Sequence, residues 1–299
     1  MRKLLLIAIF LALMTLFILN ASLPGRSVEG CPVGCADSGA RTAGPLRIVS
    51  LNMLHGFPSF THLLLRLNLI VDEIERLDAD VVLLQEVPWT VRTGYAADFL
   101  ARQLNYNYLY YRANGNHHLI FFEEGEAILS RFPLKNPLFT ELLPKLELFE
   151  SRVSLGANVI TPWGEVMVFV THLTDKDSIV RGGQAESLRR FVETHRVGPA
   201  VVAGDFNSQE DSPQITALAS IWADTYRLIH PEEQGLTCCI DNLSDGPGET
   251  LEECIDYIFL LPGNWKLVNS ERVFDQPFAV AGGWQWASDH IGLMVEIEP

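Results

Sequence analysis

The residues best suited to chemistry in this chain are polar groups at the ends of short apolar runs. Ser288-Asp289-His290 leads into the closing apolar run, and Gly204-Asp205-Phe206-Asn207 follows another. Four further runs of strand length begin or end with a polar residue, namely Asn52, Glu86, His172 and Asp256. Active sites are commonly built where strands end and loops begin. Because these side chains can bind a metal and transfer protons, the pattern predicts a hydrolase.

Asp205 and Asn207 form the first candidate pair. In an extended strand end, alternation points both side chains to one face and Phe206 to the opposite face. A carboxylate and an amide oxygen two residues apart can share one hard cation or one attacking water. The alternative is a turn in which the Asp or Asn side chain bonds to its own backbone.

Glu86, Asn52 and Asp289 are candidates for a metal site. A carboxylate at the tip of a buried strand, such as Glu86, is costly unless a cation or a donor satisfies it. Oxygen ligands suit Mg²⁺, with Mn²⁺ as the alternative ion. Asn52 would add an amide oxygen or orient a bound phosphate, or else it only caps its strand. Asp289 is free to touch the metal or the nucleophile.

His290 is the best candidate for a general base, because an imidazole pKa of about 6.5 suits proton abstraction from water at neutral pH. Asp256, on a separate apolar run, is the candidate partner that fixes the tautomer of His290 and stabilises its charged form. His172 is the second histidine, predicted to donate to a phosphate oxygen or to the leaving group. A lone histidine at a strand end is usually structural, but two in matching contexts favour catalysis.

The elements that must position these groups alternate between short strands and longer amphipathic segments. Apolar residues at helical spacing predict helices over Thr61 to Leu77 and Asp177 to His195. Strands are predicted over 106–111, 127–130, 153–160 and 166–170, with the last two joined as a hairpin by the turn 161–164. This mixture predicts a layered α/β architecture, with sheets packed together and helices outside.

The N-terminus predicts an address outside the cytosol. Arg2 and Lys3 precede an apolar run to Leu19 and then small residues, which is the layout of a secretory signal. An uncleaved membrane anchor and a lipoprotein that uses Cys31 are the alternatives. We therefore predict a signal peptide or anchor over residues 1–25, a linker over 26–44 and one catalytic domain over 45–299. Membrane contact, where it occurs, is predicted through the N-terminus, and no protein partner is predicted.

Composition and charge limit the class of function. The 299 residues are 48% hydrophobic and 20% charged, which is typical of a globular protein. The formal net charge of −15 argues against broad affinity for nucleic acid, since that affinity depends on Lys and Arg. A divalent cation could still supply local positive charge for a phosphodiester.

The five cysteines fit an oxidising compartment. A bridge from Cys238 or Cys239 to Cys254 would staple the acidic loop next to Asp256. Because the total is odd, at least one cysteine is predicted to lie outside an intramolecular disulfide.

Seven short motifs, in order, resemble those of the endonuclease/exonuclease/phosphatase superfamily. They are Ser50-Leu-Asn52, Gln85-Glu86, Gly125 to Arg131, Thr171-His-Leu173, Gly204 to Asn207, Ile255 to Ile258 and Ser288-Asp-His290. The superfamily includes deoxyribonuclease I, exonuclease III, inositol-polyphosphate 5-phosphatases and neutral sphingomyelinases. The resemblance covers about 250 residues, from Leu46 to the end.

The resemblance implies a four-layer α/β sandwich, in which two packed mixed β-sheets are flanked by helices, and Mg²⁺-dependent cleavage of a phosphoester. It implies Asn52 and Glu86 at the metal and phosphate, and Asp205 with Asn207 on the attacking water and the phosphate. It also implies His290 with Asp256 as the activating pair and His172 on the phosphoryl oxygens. Leu54 departs from some nuclease members, which have an acidic residue there.

The substrate is the least determined part of the prediction. Aromatic residues crowd the predicted rim of the site at Phe57, Phe60, Trp89, Trp284 and Trp286. They would stack on bases, dip into a lipid interface or simply pack the loops. The charge and the predicted address favour a phosphodiesterase acting on a lipid-derived or small phosphodiester. The alternatives are a secreted or membrane-anchored nuclease on DNA or RNA and a catalytically silent binding module.

Overall fold

The computed structural model describes residues 2–36, 43–147, 149–248 and 250–299. Its helices are α1 (Arg2–Ala21), α2 (Leu63–Leu77), α3 (Ala96–Leu104), α4 (His117–Ile120), α5 (Ser178–His195), α6 (Pro213–Ala219) and α7 (Thr225–Ile229). Its strands are β1 (Glu29–Cys31), β2 (Leu46–Asn52), β3 (Val81–Thr90), β4 (Gly94–Tyr95), β5 (Asn107–Gly115), β6 (Phe122–Ser130), β7 (Leu134–Glu141), β8 (Val153–Thr161), β9 (Gly164–His172), β10 (Ala200–Asp205), β11 (Ala223–Asp224), β12 (Asp256–Leu260), β13 (Lys266–Val273), β14 (Phe278–Val280), β15 (Gly283–Gln285) and β16 (Gly292–Glu298).

Two mixed sheets form the centre of the described structure. The first has the order β1-β5-β6-β3-β2-β16-β13, with β4 paired to β3, and the second has the order β11-β12-β10-β9-β8-β7. Strand β2 runs parallel to β3, and β9 runs parallel to β10, while the other pairs in these sheets are antiparallel. Strands β14 and β15 make a separate small hairpin.

The sheets pack face to face, and helices cover their outer faces. One apolar cluster lies between the sheets and includes Ile48, Leu83, Val170 and Ala203. A second joins the first sheet to α2 and α3, and a third joins the second sheet to α5 and α6. Each sheet therefore buries both faces, which is why the central strands are continuously apolar. The predicted four-layer α/β sandwich is confirmed.

Helices α2 and α5 form where the sequence predicted them. In α2, Leu63, Leu67, Ile70 and Ile74 recur at helical spacing and are buried against the first sheet. Helix α5 begins after Asp177, whose side chain accepts hydrogen bonds from the backbone N–H groups of Ile179 and Val180 and so caps the helix. The predicted hairpin is also present, since β8 and β9 pair across the turn between Thr161 and Gly164.

The N-terminal segment is held against the first sheet. Helix α1 is followed by Ser22, which donates from its hydroxyl to the carbonyl of Phe149, and by Glu29–Cys31, which pairs with Tyr108–Tyr110 of β5. Part of the predicted linker is thus an edge strand, because its backbone pairs with β5. Met1 and residues 37–42 of the predicted leader and linker lie outside the described residues. None of the helices in the described part of the chain combines the length and apolar character that crossing a bilayer requires.

The disulfide pairing differs from the prediction. Cys31 bonds to Cys35, and Cys238 bonds to its neighbour Cys239. The predicted bridge to Cys254 is wrong, because Cys254 is a free thiol packed against the apolar cluster under the second sheet. The acidic loop is instead attached next to Asp256 by backbone hydrogen bonds between Cys238 and Glu253.

Candidate active site

Three adjacent strands of the second sheet place three predicted residues side by side. The register pairs Asp205 of β10 with His172 of β9 on one side and with Asp256 of β12 on the other. Gly204 permits this close pairing, since a Cβ there would lie 1.9 Å from the carbonyl oxygen of Thr171. Nε2 of His172 lies 3.4 Å from Oδ2 of Asp205. The apolar strand interiors therefore end in one row of ionisable groups.

The first sheet contributes Asn52 and Glu86 to the same place. Asn52 ends β2, and its Nδ2 donates to Oε1 of Glu86 at 3.3 Å and to Oδ2 of Asp205 at 3.1 Å. Glu86 lies at a bulge of β3 with a φ of 55°, a left-handed conformation that re-aims its side chain. Asn52 thus joins a carboxylate of each sheet. Its Oδ1 accepts from the backbone N–H of Leu54, so the amide nitrogen faces both carboxylates.

His290 forms a buried pair with Asp256. Its Nδ1 lies 2.9 Å from Oδ2 of Asp256, and its Nε2 lies 3.8 Å from Oδ2 of Asp205. Burial alone would lower the pKa of His290, but the carboxylates of Asp256, Asp205 and Asp289 hold this pKa well above the usual value. Because a carboxylate only accepts, Nδ1 carries a hydrogen and Nε2 is the atom directed at Asp205. This is the geometry of an oriented base.

The pKa values of two neighbouring groups are shifted in opposite directions. Burial and repulsion from Asp256 raise the pKa of Asp205 to about 7. Burial and the positive charge of Arg152 hold the pKa of His172 well below its usual value, so this ring is neutral. Divergent shifts among clustered groups are a mark of acid–base sites.

Asn207 completes the row beside His172. Its backbone N–H donates to Oδ1 of Asp205 at 2.8 Å, and its Nδ2 lies 3.0 Å from Nε2 of His172. The side chains of Asp205 and Asn207 therefore both lie near Nε2 of His172. The turn named as the alternative brings them there and not strand alternation, because β10 ends at Asp205 and Asn207 has a φ of 48°. Nε2 of His172 accepts from Asn207 in this arrangement. Nδ1 of His172 is buried without a partner in the described residues.

Two of the residues predicted to hold a metal, Asn52 and Glu86, are in hydrogen-bond contact, and the third, Asp289, interacts electrostatically with Glu86. Burial would raise the pKa of Glu86, but interactions with His55 and Asn52 bring it below the usual value. Burial raises the pKa of Asp289, the charge of His290 lowers it, and repulsion from the carboxylate of Glu86 raises it again, with a net upward shift. Oxygen donors of this kind fit Mg²⁺. Asn52 would give its amide oxygen to such an ion only after rotating its side chain.

A second group of potential ligands is better explained by proton transfer. Ligand atoms of Asp205, Asp256 and His290 lie within 4.8 Å of one another. However, Oδ2 of Asp256 already accepts from His290 and from the hydroxyl of Thr237 at 2.7 Å. These two hydrogen bonds hold Oδ2 of Asp256 against His290, which favours a role of the group in proton transfer. The other such group in the described chain contains Cys238 and Cys239, whose sulfur atoms form a disulfide.

Several residues at the site had not been identified from the sequence. Arg66, fully buried, donates to the carbonyls of Met53, Leu54 and Ala287 and so clamps the two loops that carry Asn52 and His290. An arginine within the apolar face of α2 was a signal that could have revealed it. His55 donates its backbone N–H to Oε2 of Glu86.

Two further contacts come from residues distant in sequence. Thr237 bonds to Asp256, and Sγ of Cys238 lies 3.5 Å from Nε2 of His290. Neither contact has a local sequence signal, because both partners are far along the chain from the residues they touch.

The aromatic rim is only partly exposed. The ring of Phe57 stacks on that of Phe122 at 4.4 Å, and Trp89 stacks on His117 at 4.6 Å. Trp286 is buried in a small apolar cluster, whereas Trp284 is 41% exposed. Loop packing therefore accounts for some of the predicted rim but leaves Phe57 and Trp284 open to solvent.

Comparison with known protein families finds a match that spans the residues of the candidate site. The family model described as "Endonuclease/Exonuclease/phosphatase family" matches residues 49–290. No curated protein matches the chain in sequence.

Solved structures share the fold at low identity. A mannosyl-6-phosphatase of Bacteroides thetaiotaomicron is 19% identical with a TM-score of 0.68, over 85% of this chain and 100% of that one. A family protein from Leptotrichia buccalis is 17% identical with a TM-score of 0.66, over 85% and 100%. The human Nocturnin catalytic domain, solved with a bound sulfate anion, is 20% identical with a TM-score of 0.62, over 85% and 93%.

Proposed function

Because this chain belongs to the endonuclease/exonuclease/phosphatase family and is a hydrolase of phosphoester bonds, we propose that it is an Mg²⁺-dependent phosphodiesterase. Its proposed substrate is a lipid-derived or small phosphodiester outside the cytosol. The observation that carries the proposal is the 2.9 Å contact between His290 and Asp256, directly beside Asp205 and Asn207. A buried base, an orienting carboxylate and groups able to hold water and phosphate meet at one place.

The proposed reaction is direct attack of water on the phosphorus, which forms one P–O bond while the P–O bond to the leaving alcohol breaks. Nε2 of His290 takes the proton of that water when the ring is neutral, a state that the positive charge of a bound cation would favour by lowering the raised pKa of His290. Asp256 stabilises the imidazolium that forms. The leaving oxygen takes a proton from solvent, and the imidazolium later returns its proton to solvent. Asp205 and Asn207, which share the same space, hold the water and a phosphate oxygen. The side chain of Asn207 must exchange its contact with His172 for the substrate, or share it. No bond between enzyme and phosphorus is needed.

Glu86 and Asp289 are proposed to hold the cation, and Asn52 to position Glu86 against Asp205. When bound, Mg²⁺ would neutralise the negative charge that grows on the phosphate and the leaving oxygen. The electrostatic repulsion between Glu86 and Asp289 and the partial exposure of both side chains support this assignment.

The arginines support a small substrate over long nucleic acid. Arg112 pairs with Glu123, Arg131 with Asp78, and Arg152 with Glu150. Arg181 donates to the carbonyls of Thr174 and Asp175. These four charges are neutralised or bonded internally, and the exposed Arg92 by itself does not form the basic stripe that phosphate tracking requires. A nuclease remains the alternative, and a silent binding module is disfavoured because the complete proton-transfer set is assembled.

The proposed address outside the cytosol is supported by the basic and apolar start of the chain and by the two disulfides. Cell fractionation with mass measurement of the mature N-terminus tests this. Retention of the protein in the cytosol with all thiols reduced would overturn the address.

A substrate panel tests the function. Purified protein is assayed with Mg²⁺ and with EDTA on plasmid DNA, RNA, sphingomyelin, inositol phosphates and bis-p-nitrophenyl phosphate. The proposal expects metal-dependent turnover with preference for a lipid or small diester. Preference for DNA or RNA would move the assignment to the nuclease, and no turnover by folded protein would favour the binding module.

A further inference from the structure

An apolar groove of about 670 Å³ lies next to the loops that carry the catalytic residues. It runs between the start of α2, the turn after β3 and the residue before β6. Its lining consists of Ser59, Phe60, His62, Leu63, Leu64, Leu65, Asn68, Thr90, Val91, Arg92, Thr93 and Phe121. This volume is within the usual range of ligand pockets, which is about 300–1,000 Å³. We call it the α2 groove.

The apolar side chains of the α2 groove are unusually exposed. Val91 is 72% exposed and Phe121 is 65% exposed, and Leu64 and Leu65 are also open to solvent. Contiguous exposed apolar surface of this kind in a soluble domain commonly marks a binding site. Transfer of an apolar group from water into the groove is therefore expected to lower the free energy.

A chain of contacts connects the α2 groove to the candidate active site. The ring of Phe60 lies 5.8 Å from that of Phe122, which lies 5.3 Å from the ring of His55. Nε2 of His55 lies 3.5 Å from Oε2 of Glu86. The groove wall is thus two ring contacts from the residue beside the proposed metal ligand.

The floor of the groove is also fixed to the site. Nδ1 of His62, at the start of α2, lies 2.6 Å from Oε1 of Gln285 in the segment that leads to His290. Arg66, one turn further along, bonds to the carbonyls of Met53 and Ala287. The groove and the catalytic loops therefore form one unit.

We propose that the α2 groove binds the alkyl chain of an amphiphilic phosphoester whose phosphate lies at the candidate active site. This proposal rests on the proposed function and specifies the apolar part of its substrate. The alkyl chain extends from the phosphate past His55 and Phe122 and lies against Phe60, Leu64 and Val91.

An alkyl chain fits the lining better than a nucleobase does. Most of the exposed lining area is apolar, and its most exposed apolar side chains, Val91 and Phe121, offer a base edge no hydrogen bonds in place of those lost to water. Polar side chains such as Asn68 and Arg92 also line the groove, so the nucleoside probe below tests this directly. The ring of Phe60, which would have to stack on a base, already packs against Phe57 and Phe122. The net charge of −15 further disfavours binding of a polyanion, whereas it has no effect on the binding of an uncharged alkyl chain.

The test compares ester length in the full chain. Rates are measured for methyl and octyl p-nitrophenyl phosphate below the micelle concentration, with thymidine 5′-p-nitrophenyl phosphate as the nucleoside probe. Each buried methylene favours binding by about threefold to fourfold. The proposal therefore expects kcat/KM for the octyl ester to exceed that for the methyl ester by roughly 100-fold or more.

A double variant and a matched control locate the effect. Leu64→Asp with Val91→Asp places two charges on exposed positions of the groove, and should lower the octyl-to-methyl ratio by at least about tenfold. Val197→Asp replaces a valine that is 81% exposed after α5, and should leave the ratio unchanged. The natural protein and both variants keep α1, so any binding of the alkyl chain to that helix contributes equally and cancels in the comparison.

Calorimetric binding of methyl- and octylphosphonate gives a readout independent of turnover. Equal turnover of both esters would overturn the groove proposal while leaving the proposed function standing, as would a preference for the thymidine ester. Absence of turnover with tight octylphosphonate binding that the double variant loses would support the groove and overturn the proposed function. Absence of both turnover and binding would overturn both.

Discussion

Nδ1 of His290 lies 2.9 Å from Oδ2 of Asp256, although the two residues are positioned by different sheets. Asp256 opens β12 of the second sheet, and His290 stands just before β16 of the first. The bond from Asn52 to Asp205 crosses between the sheets in the same way. The candidate active site therefore exists only when the two sheets are packed against each other.

Asp256→Asn should leave the fold intact but remove the carboxylate that orients His290. We expect kcat to fall by about 10²- to 10⁴-fold, the usual contribution of general acid–base catalysis. Steady-state kinetics on bis-p-nitrophenyl phosphate measures this, with Asp241→Asn on the exposed part of the nearby loop as the control. A loss of less than about tenfold would show that Asp256 does not act through His290.

Thr237→Val should lower kcat because the hydroxyl of Thr237 donates to Oδ2 of Asp256 at 2.7 Å. A hydrogen bond to a charged group contributes about 1.5–3 kcal/mol, so the expected loss is about tenfold to 100-fold. KM for a small diester should change little, and Thr237→Ser should restore most of the rate.

Thr225→Val is the matched control for Thr237→Val. Thr225 is equally buried and bonds to the carbonyl of Ile258, away from the dyad. It should cost stability without a comparable loss of kcat. Equal losses of kcat in both variants would indicate a general structural effect and no positioning role for Thr237.

Arg66→Met should destabilise the protein, because three backbone carbonyls would lose a buried donor. The environment already disfavours the charged form, since burial lowers the pKa of Arg66 to about 10 despite the carboxylates of Asp289 and Glu86. We expect a loss of about 2–5 kcal/mol in the free energy of unfolding, measured by urea denaturation.

Arg190→Met on α5 is the control for the arginine prediction. Its side chain is 74% exposed and pairs with the half-exposed Glu186 four residues earlier. An exposed pair of this kind contributes less than about 1 kcal/mol. Similar destabilisation by the two substitutions would contradict the clamp assigned to Arg66.

The stability of Glu126→Gln relative to the natural chain should increase as the pH rises. Burial and the neighbouring Glu124 hold the pKa of Glu126 well above its ordinary value, and its Oε2 has no partner among the described residues. The native state therefore keeps a proton that the unfolded chain releases above about pH 4.3. Stability is lost between that pH and the folded pKa, by at most about 1.4 kcal/mol per pH unit.

The measurement for Glu126 is urea denaturation in EDTA at pH 5 and pH 8. The advantage of Glu126→Gln over the natural chain should be larger at pH 8. Glu165→Gln, at an exposed position on β9, should show no such trend. An advantage that is equal at both pH values would mean that Glu126 is ionised in the folded protein.

The sequence predicted the parts of the site that follow from strand periodicity. The ends of apolar runs predicted the positions of Asn52, Glu86, His172 and Asp256 at strand ends, because a buried strand must be apolar and its first polar residue must reach a loop. Alternation did not foresee that Asn207 lies in a turn after the end of β10, with a φ of 48°.

The remaining features depend on contacts between distant segments. The bond between Asn52 and Asp205 joins residues 153 positions apart, and no local pattern encodes it. The clamp by Arg66 needs three carbonyls that only the folded loops bring together. The disulfide between Cys238 and Cys239 replaced the predicted bridge because pairing depends on the path of the chain, which cysteine spacing alone does not fix.

The most direct test of the account is hydrolysis of bis-p-nitrophenyl phosphate by the natural chain and by His290→Ala, each with Mg²⁺ and with EDTA. The account predicts turnover that requires the metal and falls by about 10²- to 10⁴-fold in the variant, with the fold confirmed by circular dichroism. Turnover that survives the substitution, or that does not depend on a divalent metal, would contradict it.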